Sequence, residues 1–372
     1  MSANALSATP TAAGKLNLIG LAPQDLEELF ASLDERPYRV RQILAWLYQR
    51  GVLEFQQMTD ISLRLRKRLE LMACLELPEL IREETSQDGT RKWLIGIGAG
   101  QAVETVFIPE LGRATLCISS QAGCAMDCSF CATGRQGFNR NLNAAEILGQ
   151  VLIAKRALGP EVTVTNVVFM GMGEPLANYR NVIPVVSLLV DDRAFGLSRR
   201  RVTISTAGLV PQIRKLSQDC NVALAVSLHA PFDDLRDELV PINKRHPIAE
   251  LLDACWEYAE CLASRHVTFE YAMLRGVNDS IKHARGLARL LRNRPAKVNL
   301  IPFNPFPGTQ YECSPGAVID AFCHELKCAG TVATTRKTRG DDIAAACGQL
   351  AGQVEDRTSS RLGAKLPRVV SI

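Results

Sequence analysis

Residues 114–134 read ATLCISSQAGCAMDCSFCATG and bring three cysteines, Cys124, Cys128 and Cys131, into one short loop. The alternating apolar residues of ATLCIS predict a β-strand, so the cysteines follow directly on the end of a strand. A closed zinc site needs four Cys or His ligands, but all five histidines of the chain lie beyond residue 228. Three thiolates leave one metal position open, and in an iron–sulfur cube that position is an iron free to bind a substrate or cofactor.

After the cysteine loop, the apolar pattern alternates between the periods of helices and strands. Helical patterns such as AAEILGQVLIAKRAL separate six predicted strands, VTNVVFM, RVTIST, NVALAVSLH, HVTFEYAML, KVNLIP and TVATT. This alternation predicts an α/β fold built from parallel βαβ units. Such units form a partial or full α/β barrel or an open doubly wound sheet, and in each case the loops after the strands carry the chemistry.

The residues before the cysteine loop have a different pattern. Helical spacing of apolar residues from Pro23, from Val40 and over residues 63–72 predicts a small helical module that ends near Pro78. The segments IREET, RKWLIGI, AVETVFI and ATLCIS then predict strands joined by turns at DG and PELGR. We therefore expect a flexible N-terminus over 1–20, a helical accessory domain over 21–78, a β-strand extension over 79–122, an α/β core over 110–350 and a C-terminal tail over 351–372.

Composition limits the function classes less than the motifs do. The 372-residue chain has a net charge of +4, which does not by itself indicate nucleic acid binding. Basic residues cluster in RLRKR (64–68), RRR (199–201) and RKTR (336–339), and each cluster fits either phosphate contacts or a solvated surface. We expect a cytoplasmic protein without a secretory signal or membrane span, whose twelve cysteines serve metal binding, catalysis or core packing.

The cysteine motif CxxxCxxC after a strand, with GMGEP (171–175) at the end of the next strand, resembles the radical S-adenosylmethionine superfamily. Further segments resemble the RlmN/Cfr family of RNA methyltransferases within it, namely AVETVFIPE, GFNRNL, VTISTAG, VSLHA, IPFNPFPG and GDDIAAACGQL. The resemblance implies a partial (β/α)6 radical SAM barrel over residues 110–350. A small N-terminal helical domain and a β-hairpin extension would precede that barrel.

The family resemblance also implies a set of site residues. Cys124, Cys128 and Cys131 would hold one [4Fe–4S] cluster, leaving its fourth iron to bind S-adenosylmethionine, of which two molecules are used per turnover. The cofactor would lie against residues at successive strand ends, which are Gly173, Glu174, Ser205, Ser227, Leu228, His229 and Asn304. For His229, the sequence leaves direct contact and a supporting role both open.

Three further residues would carry the reaction. By resemblance, Cys347 carries a methyl group, Cys117 releases the RNA–protein adduct through a transient disulfide with Cys347, and Glu104 accepts a proton. Taken alone, the alanines before Cys347 indicate a helix start, and Cys117 fits a buried strand position. Glu104 shares a strand face with apolar residues, which is unusual for a carboxylate unless that face meets a polar cleft.

The chemistry of the implied substrate fits a radical route. The family modifies C2 of an adenosine in the peptidyl transferase centre of 23S rRNA and of the adenosine 3′ of the tRNA anticodon. Adenine C2 is an electron-poor carbon between two ring nitrogens, so it does not attack a methyl sulfonium as a nucleophile. A 5′-deoxyadenosyl radical derived from the cofactor removes that requirement. The alternatives are methylation at C8 by a Cfr-type enzyme and a non-catalytic zinc protein that binds RNA.

RNA is the expected partner, and the target base must leave its stack before it can react. The helical module with RLRKR is one candidate RNA contact, and Arg336, Lys337 and Arg339 are candidates for phosphate contacts near Cys347. We also expect an electron donor such as flavodoxin with flavodoxin reductase, and a monomeric protein.

Overall fold

The computed structural model describes residues 14–262 and 266–357, which fold around one large twisted sheet and its helices. The described strands are β1 (Leu16–Asn17), β2 (Ala73–Cys74), β3 (Glu79–Thr85), β4 (Arg91–Gly96), β5 (Ala102–Glu110), β6 (Arg113–Cys117), β7 (Gln121–Gly123), β8 (Phe138–Asn141), β9 (Asn166–Phe169), β10 (Val202–Thr206), β11 (Ala223–Ser227), β12 (Val267–Met273), β13 (Ala296–Pro302) and β14 (Val332–Thr335). The described helices are α1 (Pro23–Ser32), α2 (Tyr38–Leu44), α3 (Leu63–Met72), α4 (Ala132–Gln136), α5 (Ala144–Leu158), α6 (Tyr179–Val190), α7 (Val210–Asp219), α8 (Asp233–Leu239), α9 (Ile248–Cys261), α10 (Ile281–Leu290) and α11 (Gly316–Cys328).

The main sheet has ten strands in the order β14-β13-β12-β11-β10-β9-β6-β5-β4-β3. The neighbours from β6 to β14 pair in parallel, and those from β6 to β3 pair antiparallel. The prediction of a partial barrel is confirmed, because β14 and β3 are the edges of this sheet. The six strands predicted after the cysteine loop are present, and β6 is the first strand of the same parallel series.

Crossover helices cover the parallel strands. The helix predicted over AAEILGQVLIAKRAL is α5, whose first turn is closed by a capping box between Asn143 and Glu146. Because every crossover returns the chain to the same edge of the sheet, the loops that follow the strands meet at one end of the barrel. Among the residues described, none of the helices has the length and apolar character needed to cross a bilayer.

The antiparallel strands β3, β4 and β5 extend the barrel sheet directly. Their turns hold the segment that carries Cys347. Asp88 Oδ2 in the β3–β4 turn accepts a hydrogen bond from the Gly340 N–H at 3.2 Å, and Asp342 Oδ2 accepts one from the Gln87 N–H at 3.2 Å. Ala102 at the start of β5 forms an antiparallel bridge with Gln353. The extension therefore fixes both ends of the loop around Cys347.

The helical unit before β3 packs on the same continuous apolar core as the barrel. The helix predicted over residues 63–72 is α3, and the side chain of Ser62 caps it by accepting from the Leu65 N–H. A two-residue parallel pair, β1 with β2, joins the beginning and end of this unit. The sequence analysis missed this pair because two-residue strands carry almost no periodic signal.

Candidate active site

The three loop cysteines line one cavity at the end of the barrel where the parallel strands terminate. The loop begins where the Cys124 N–H donates to the Gly137 carbonyl at 2.7 Å, and it leads into α4 after Cys131. Burial raises the pKa of all three thiols, so as thiolates they require a positive partner. The irons of a cluster supply such a partner, and a donor set of three thiols fits a cluster with one open iron.

A single metal ion fits these cysteines less well. Thiolates that share one zinc ion must each lie about 2.3 Å from it. Over residues 14–262 and 266–357, no three His, Cys, Asp or Glu side chains come close enough together to hold one ion. The three loop cysteines also fall one ligand short of the four that a closed zinc site needs.

The GMGEP segment follows β9 and packs against the chain that leads to the cysteine loop. A Cβ atom on Gly171 would lie 2.7 Å from the Ile118 carbonyl oxygen, and one on Gly173 would lie 2.4 Å from Gln121 Cβ. Gly173 also has a φ of +97°, which L side chains rarely adopt. The two glycines therefore allow a close backbone approach that brings Glu174 to the cavity that holds the cysteines.

Glu174 is a buried carboxyl that joins two strand ends. Its Oε2 accepts from the Ala207 N–H after β10 at 2.7 Å, and its Oε1 accepts from the Leu176 N–H at 3.1 Å. Burial raises its pKa from 4.5 to about 7, although these hydrogen bonds act in the opposite direction. A cation in the cavity would favour the charged form again.

His229 is fixed by the neighbouring strand. Its Nδ1 accepts from the Ala272 N–H of β12 at 2.9 Å, and its ring meets that of Phe130 edge-on with centroids 4.4 Å apart. Burial, with a smaller effect of the Arg236 charge, lowers the pKa of His229 to about 3. The ring is therefore neutral at physiological pH, and it lines the cavity next to the cysteine loop.

Arg236 on α8 is a functional candidate that the sequence analysis missed. Its guanidinium is fully buried and donates to the carbonyls of Ala207, Ser227 and Leu228 at 2.7, 3.1 and 3.2 Å. It thereby ties the ends of β10 and β11 together. Leu228 contributes its carbonyl to this network, but its side chain lies in the core and is not among the residues that line the cavity. An arginine inside the acidic helix DDLRDEL was the only signal of this role.

Cys347 does not begin a helix, so that expectation is wrong. It lies in an irregular loop after a short 3-10 turn, Asp341–Ile343, and Ala344 has a left-handed φ of +50° that ends the turn. The loop is held by backbone contacts, since the Ala132 N–H donates to the Gly348 carbonyl at 2.8 Å. The Asn304 side chain donates to the Cys347 carbonyl at 3.3 Å.

Cys347 stands where two cavities adjoin. One is the cavity of the cysteine loop, and the other opens beside the extension and contains Cys117. The residues that line both cavities are Met170, Ile301, Asn304, Arg336 and Cys347. The Cys117 thiol is buried on β6, and burial followed by the nearby Cys347 raises its pKa to about 12. Both thiols are free in this structure.

The remaining predicted cofactor residues lie on the cysteine-loop side. Gly173, Ser205, Ser227 and Asn304 line its cavity together with Glu174 and His229. Sequence reasoning did not single out the apolar groups that share this wall, which are Met126, Phe130, Phe169, Met170 and Phe303.

Glu104 does not line either cavity. Its Oε1 forms a buried ion pair with Lys92 Nζ at 3.2 Å, and its Oε2 accepts from the Ala351 N–H at 2.9 Å. Lys92 and Glu104 are diagonal neighbours in the β4–β5 register, and this pairing explains a carboxylate on an otherwise apolar strand face. In the β5–β6 register Glu104 is also a diagonal neighbour of Cys117.

The three basic residues predicted to contact phosphate behave differently from one another. Arg336 points inward, with Nη1 3.0 Å from Cys347 Sγ. Arg339 Nη1 lies 3.7 Å from Asp88 Oδ2 in the β3–β4 turn. Lys337 is exposed at the second cavity, which Arg113 and Arg339 also line.

The raised pKa of Glu174 predicts a pH-dependent difference between the wild-type protein and Glu174→Gln. Between about pH 4.5 and 7, Glu174 of the cofactor-free chain is mainly protonated in the folded state and mainly ionised in the unfolded state. The stability of the wild type should therefore fall relative to Glu174→Gln as the pH rises through this window, by on the order of 2–3 kcal/mol. Urea unfolding at both ends of the window measures this difference. Parallel pH profiles would contradict it, and Glu312→Gln, which changes an exposed carboxyl, is the control.

Comparisons with known proteins show which family the chain resembles. The model described as "Ribosomal RNA large subunit methyltransferase N-terminal domain" matches residues 16–75, and that of the radical SAM superfamily matches residues 118–288. The "Dual-specificity RNA methyltransferase RlmN" of Alkalilimnicola ehrlichii is 57% identical over 344 residues, which are 92% of this chain and 96% of that protein. A radical SAM methyltransferase from Sphaerobacter thermophilus has a crystal structure that aligns with a TM-score of 0.84 and 44% identity, covering 90% of this chain and 98% of that one. The chain belongs to the RlmN family of radical SAM methyltransferases.

Proposed function

We propose that this protein methylates C2 of adenosine in two RNA substrates, the peptidyl transferase centre of 23S rRNA and the position 3′ of the tRNA anticodon. Family membership supports an RNA methyltransferase that uses S-adenosylmethionine, and the relative from Alkalilimnicola ehrlichii is named for dual specificity. The observation that carries the proposal is the position of Cys347, which lines both the cavity of the cysteine loop and the cavity beside Cys117. A sulphur at that junction can take up a group on one side and deliver it on the other.

The first cavity is the proposed cofactor site. Cys124, Cys128 and Cys131 would bind three irons of a [4Fe–4S] cluster and leave the fourth iron open for S-adenosylmethionine. When bound, S-adenosylmethionine supplies both the methyl group and the 5′-deoxyadenosyl radical, which accounts for two molecules per turnover. We propose that an electron donor such as flavodoxin with its reductase serves the cluster and that the protein acts as a monomer.

The chain's own groups suit a positively charged sulfonium ligand. The Glu174 carboxyl would accept a hydrogen bond from the ligand's ammonium group, and a cation there would return the carboxyl to its charged form. His229 is neutral and does not repel a cation. Gly173, Ser205, Ser227 and Asn304 line the same cavity and offer polar backbone or side-chain groups to the ligand.

Cys347 is the proposed methyl carrier, and Cys117 is the proposed thiol that releases the product. Both line the second cavity, where the target adenine would enter. Burial raises the pKa of Cys117, and a thiolate at Cys347 would raise it further. Once the sulphur of Cys347 carries carbon it is neutral, so Cys117 then becomes easier to deprotonate for its attack on that sulphur.

Glu104 is the proposed acceptor of the C2 proton. Its diagonal position beside Cys117 in the β5–β6 register supports this role. One carboxylate oxygen is occupied by the Ala351 N–H and the other by Lys92. For Glu104 to reach the base, the segment after Cys347 must therefore move away from it when RNA binds.

The RNA would approach from the side of the second cavity. Its rim carries Arg113 and Lys337, and basic side chains at a cavity mouth hold the phosphates beside an extruded base. Helix α3 presents the exposed side chains of Arg64 and Lys67, which could provide a second, weaker contact with the RNA backbone.

The product identifies the reaction. Anaerobically purified protein, incubated with S-adenosylmethionine, reductant and RNA, should form 2-methyladenosine, measured by mass spectrometry of digested RNA. Cys128→Ala should lose the cluster iron and form no methylated base. Finding only 8-methyladenosine would instead assign the Cfr-type reaction, and a colourless protein with one zinc ion would exclude the radical mechanism.

Removal of the releasing thiol should trap the intermediate. Cys117→Ala should accumulate a covalent complex between RNA and protein, because the carbon bridge forms at Cys347 and no second thiol breaks it. The measurement is a gel shift that persists under denaturing conditions. Cys323→Ala is a matched control, since Cys323 and Cys117 are each 7% exposed but Cys323 lies on α11. Free product at the normal yield from Cys117→Ala would reject the role of this thiol.

A further inference from the structure

Arg336 connects two sulphur atoms at the junction of the two cavities. Its Nη1 lies 3.0 Å from Cys347 Sγ, and its Nη2 lies 3.8 Å from the thioether sulphur of Met170. The backbone N–H of Arg336 donates to the Leu300 carbonyl at 2.7 Å, directly after β14, so the origin of the side chain is fixed. A guanidinium only donates hydrogen bonds and does not lose its charge in proteins. A thiolate is a stronger acceptor for such a donor than a neutral thiol or thioether.

Glu270 is a second charged group beside Arg336, and it has a free acceptor atom. It lies on β12, is 4% exposed, and lines the cofactor cavity together with Arg336. Its Oε1 accepts from Asn299 Nδ2 at 3.2 Å, but its Oε2 is buried without a hydrogen-bond partner. An unpaired buried carboxylate oxygen is costly and tends to find a cation. Burial raises the pKa of Glu270, and the nearby charge of Arg336 acts in the opposite direction.

We infer that Arg336 is a positioning residue that holds the Cys347 sulphur as a thiolate for methyl uptake, and that Glu270 receives the guanidinium once this sulphur is methylated. The inference rests on the proposed function, in which Cys347 is the methyl carrier. It adds to the proposed function a role for Arg336, which keeps the sulphur as a thiolate, and a role for Glu270, which pairs with Arg336 after methylation.

The charges balance in this sequence. The Cys347 thiolate gives an electron pair to the methyl carbon of a sulfonium donor, and the bond from that carbon to the donor sulphur breaks toward the donor. One negative and one positive charge disappear, so no proton is transferred. Arg336 then faces a neutral thioether, like that of Met170, and the free Oε2 of Glu270 becomes its better acceptor. The methylated sulphur is thereby released toward the second cavity.

The other titratable groups that interact with Cys347 or Arg336 do not supply the positive charge that Arg336 supplies. The Cys117 and Cys131 thiols interact with Cys347, and as thiolates they would oppose a negative charge on it. Glu110 and Glu270 act on the guanidinium. Arg336 is therefore the group in this set that favours a thiolate at Cys347.

Alkylation of Cys347 tests the inference without cofactor or RNA. The full-length chain is produced in iron-depleted medium, reduced and treated briefly with iodoacetamide. Peptide mass spectrometry then follows only peptides whose Cys347 carries no methyl group. The exposed Cys261 of α9 is the reference thiol in the same sample. Arg336→Gln should lower the ratio of alkylation at Cys347 to that at Cys261 by about tenfold or more at neutral pH, because a thiolate reacts and a thiol does not. Arg336→Lys should keep most of the reactivity.

Two further variants separate this effect from damage to the fold. The double variant Arg336→Gln/Glu270→Gln removes both charges, leaves no unpaired buried carboxylate and should show the same loss. Glu270→Gln alone should keep or raise the ratio, because the guanidinium then has the sulphur as its partner. An unchanged ratio in both Arg336→Gln variants would overturn the inference, as would a loss in Glu270→Gln equal to that in Arg336→Gln.

The reagent's charge gives a second measure. A guanidinium beside the thiolate should favour anionic iodoacetate relative to neutral iodoacetamide, and this preference should disappear in Arg336→Gln. An identical preference in the variant would contradict the pairing. These assays need no methyl transfer, so they can fail while RNA methylation persists. The proposed function is tested separately by the methylated RNA product.

Discussion

The site depends on the parallel pairing of the strands from β6 to β14, because it brings the end of every strand to one side of the barrel. The cysteine loop follows β6, Glu174 follows β9, and His229 follows β11. These residues lie far apart along the chain, and the pairing of the strands brings them together. Asn304 after β13 and Arg336 after β14 line the same cavity. A chain with the same motifs in an antiparallel sheet would not assemble this cavity.

Burial then decides which of the groups at this cavity can carry a charge. His229 is kept neutral, and burial raises the pKa of Glu174 and of the loop thiols. Arg236 donates to three backbone carbonyls and to the Asn243 side chain, and so fixes the loops around the cavity. Arg336 is different, since it faces the cavities and contacts sulphur. A sulfonium cofactor would add positive charge to a cavity whose mainly apolar wall also carries Glu174, Glu270 and Arg336.

The sequence predicted those parts of the molecule that depend on local patterns. The helices α3 and α5 and the strands after the cysteine loop follow directly from apolar periodicity. The cysteine motif and GMGEP indicated the superfamily before any contact was known. Membership of the family confirmed that resemblance.

What the sequence did not predict depends on pairing between distant segments. Glu104 looked misplaced because its partner, Lys92, is identified only by the register of β4 with β5. The alanines before Cys347 favoured a helix, yet the left-handed backbone of Ala344 and the tether to the β3–β4 turn hold an open loop there. Arg336 was one of several basic residues in a row, and nothing in that row distinguishes the side chain that turns inward.

The central claim is that Cys347 carries the methyl group between the two cavities. Peptide mass spectrometry of protein purified with its cluster intact tests this most directly. The account predicts one additional methyl group on the Cys347 peptide, which a labelled S-adenosylmethionine replaces during turnover and which then appears in the RNA. A Cys347 that stays unmodified while the protein methylates RNA at its full rate would contradict the account.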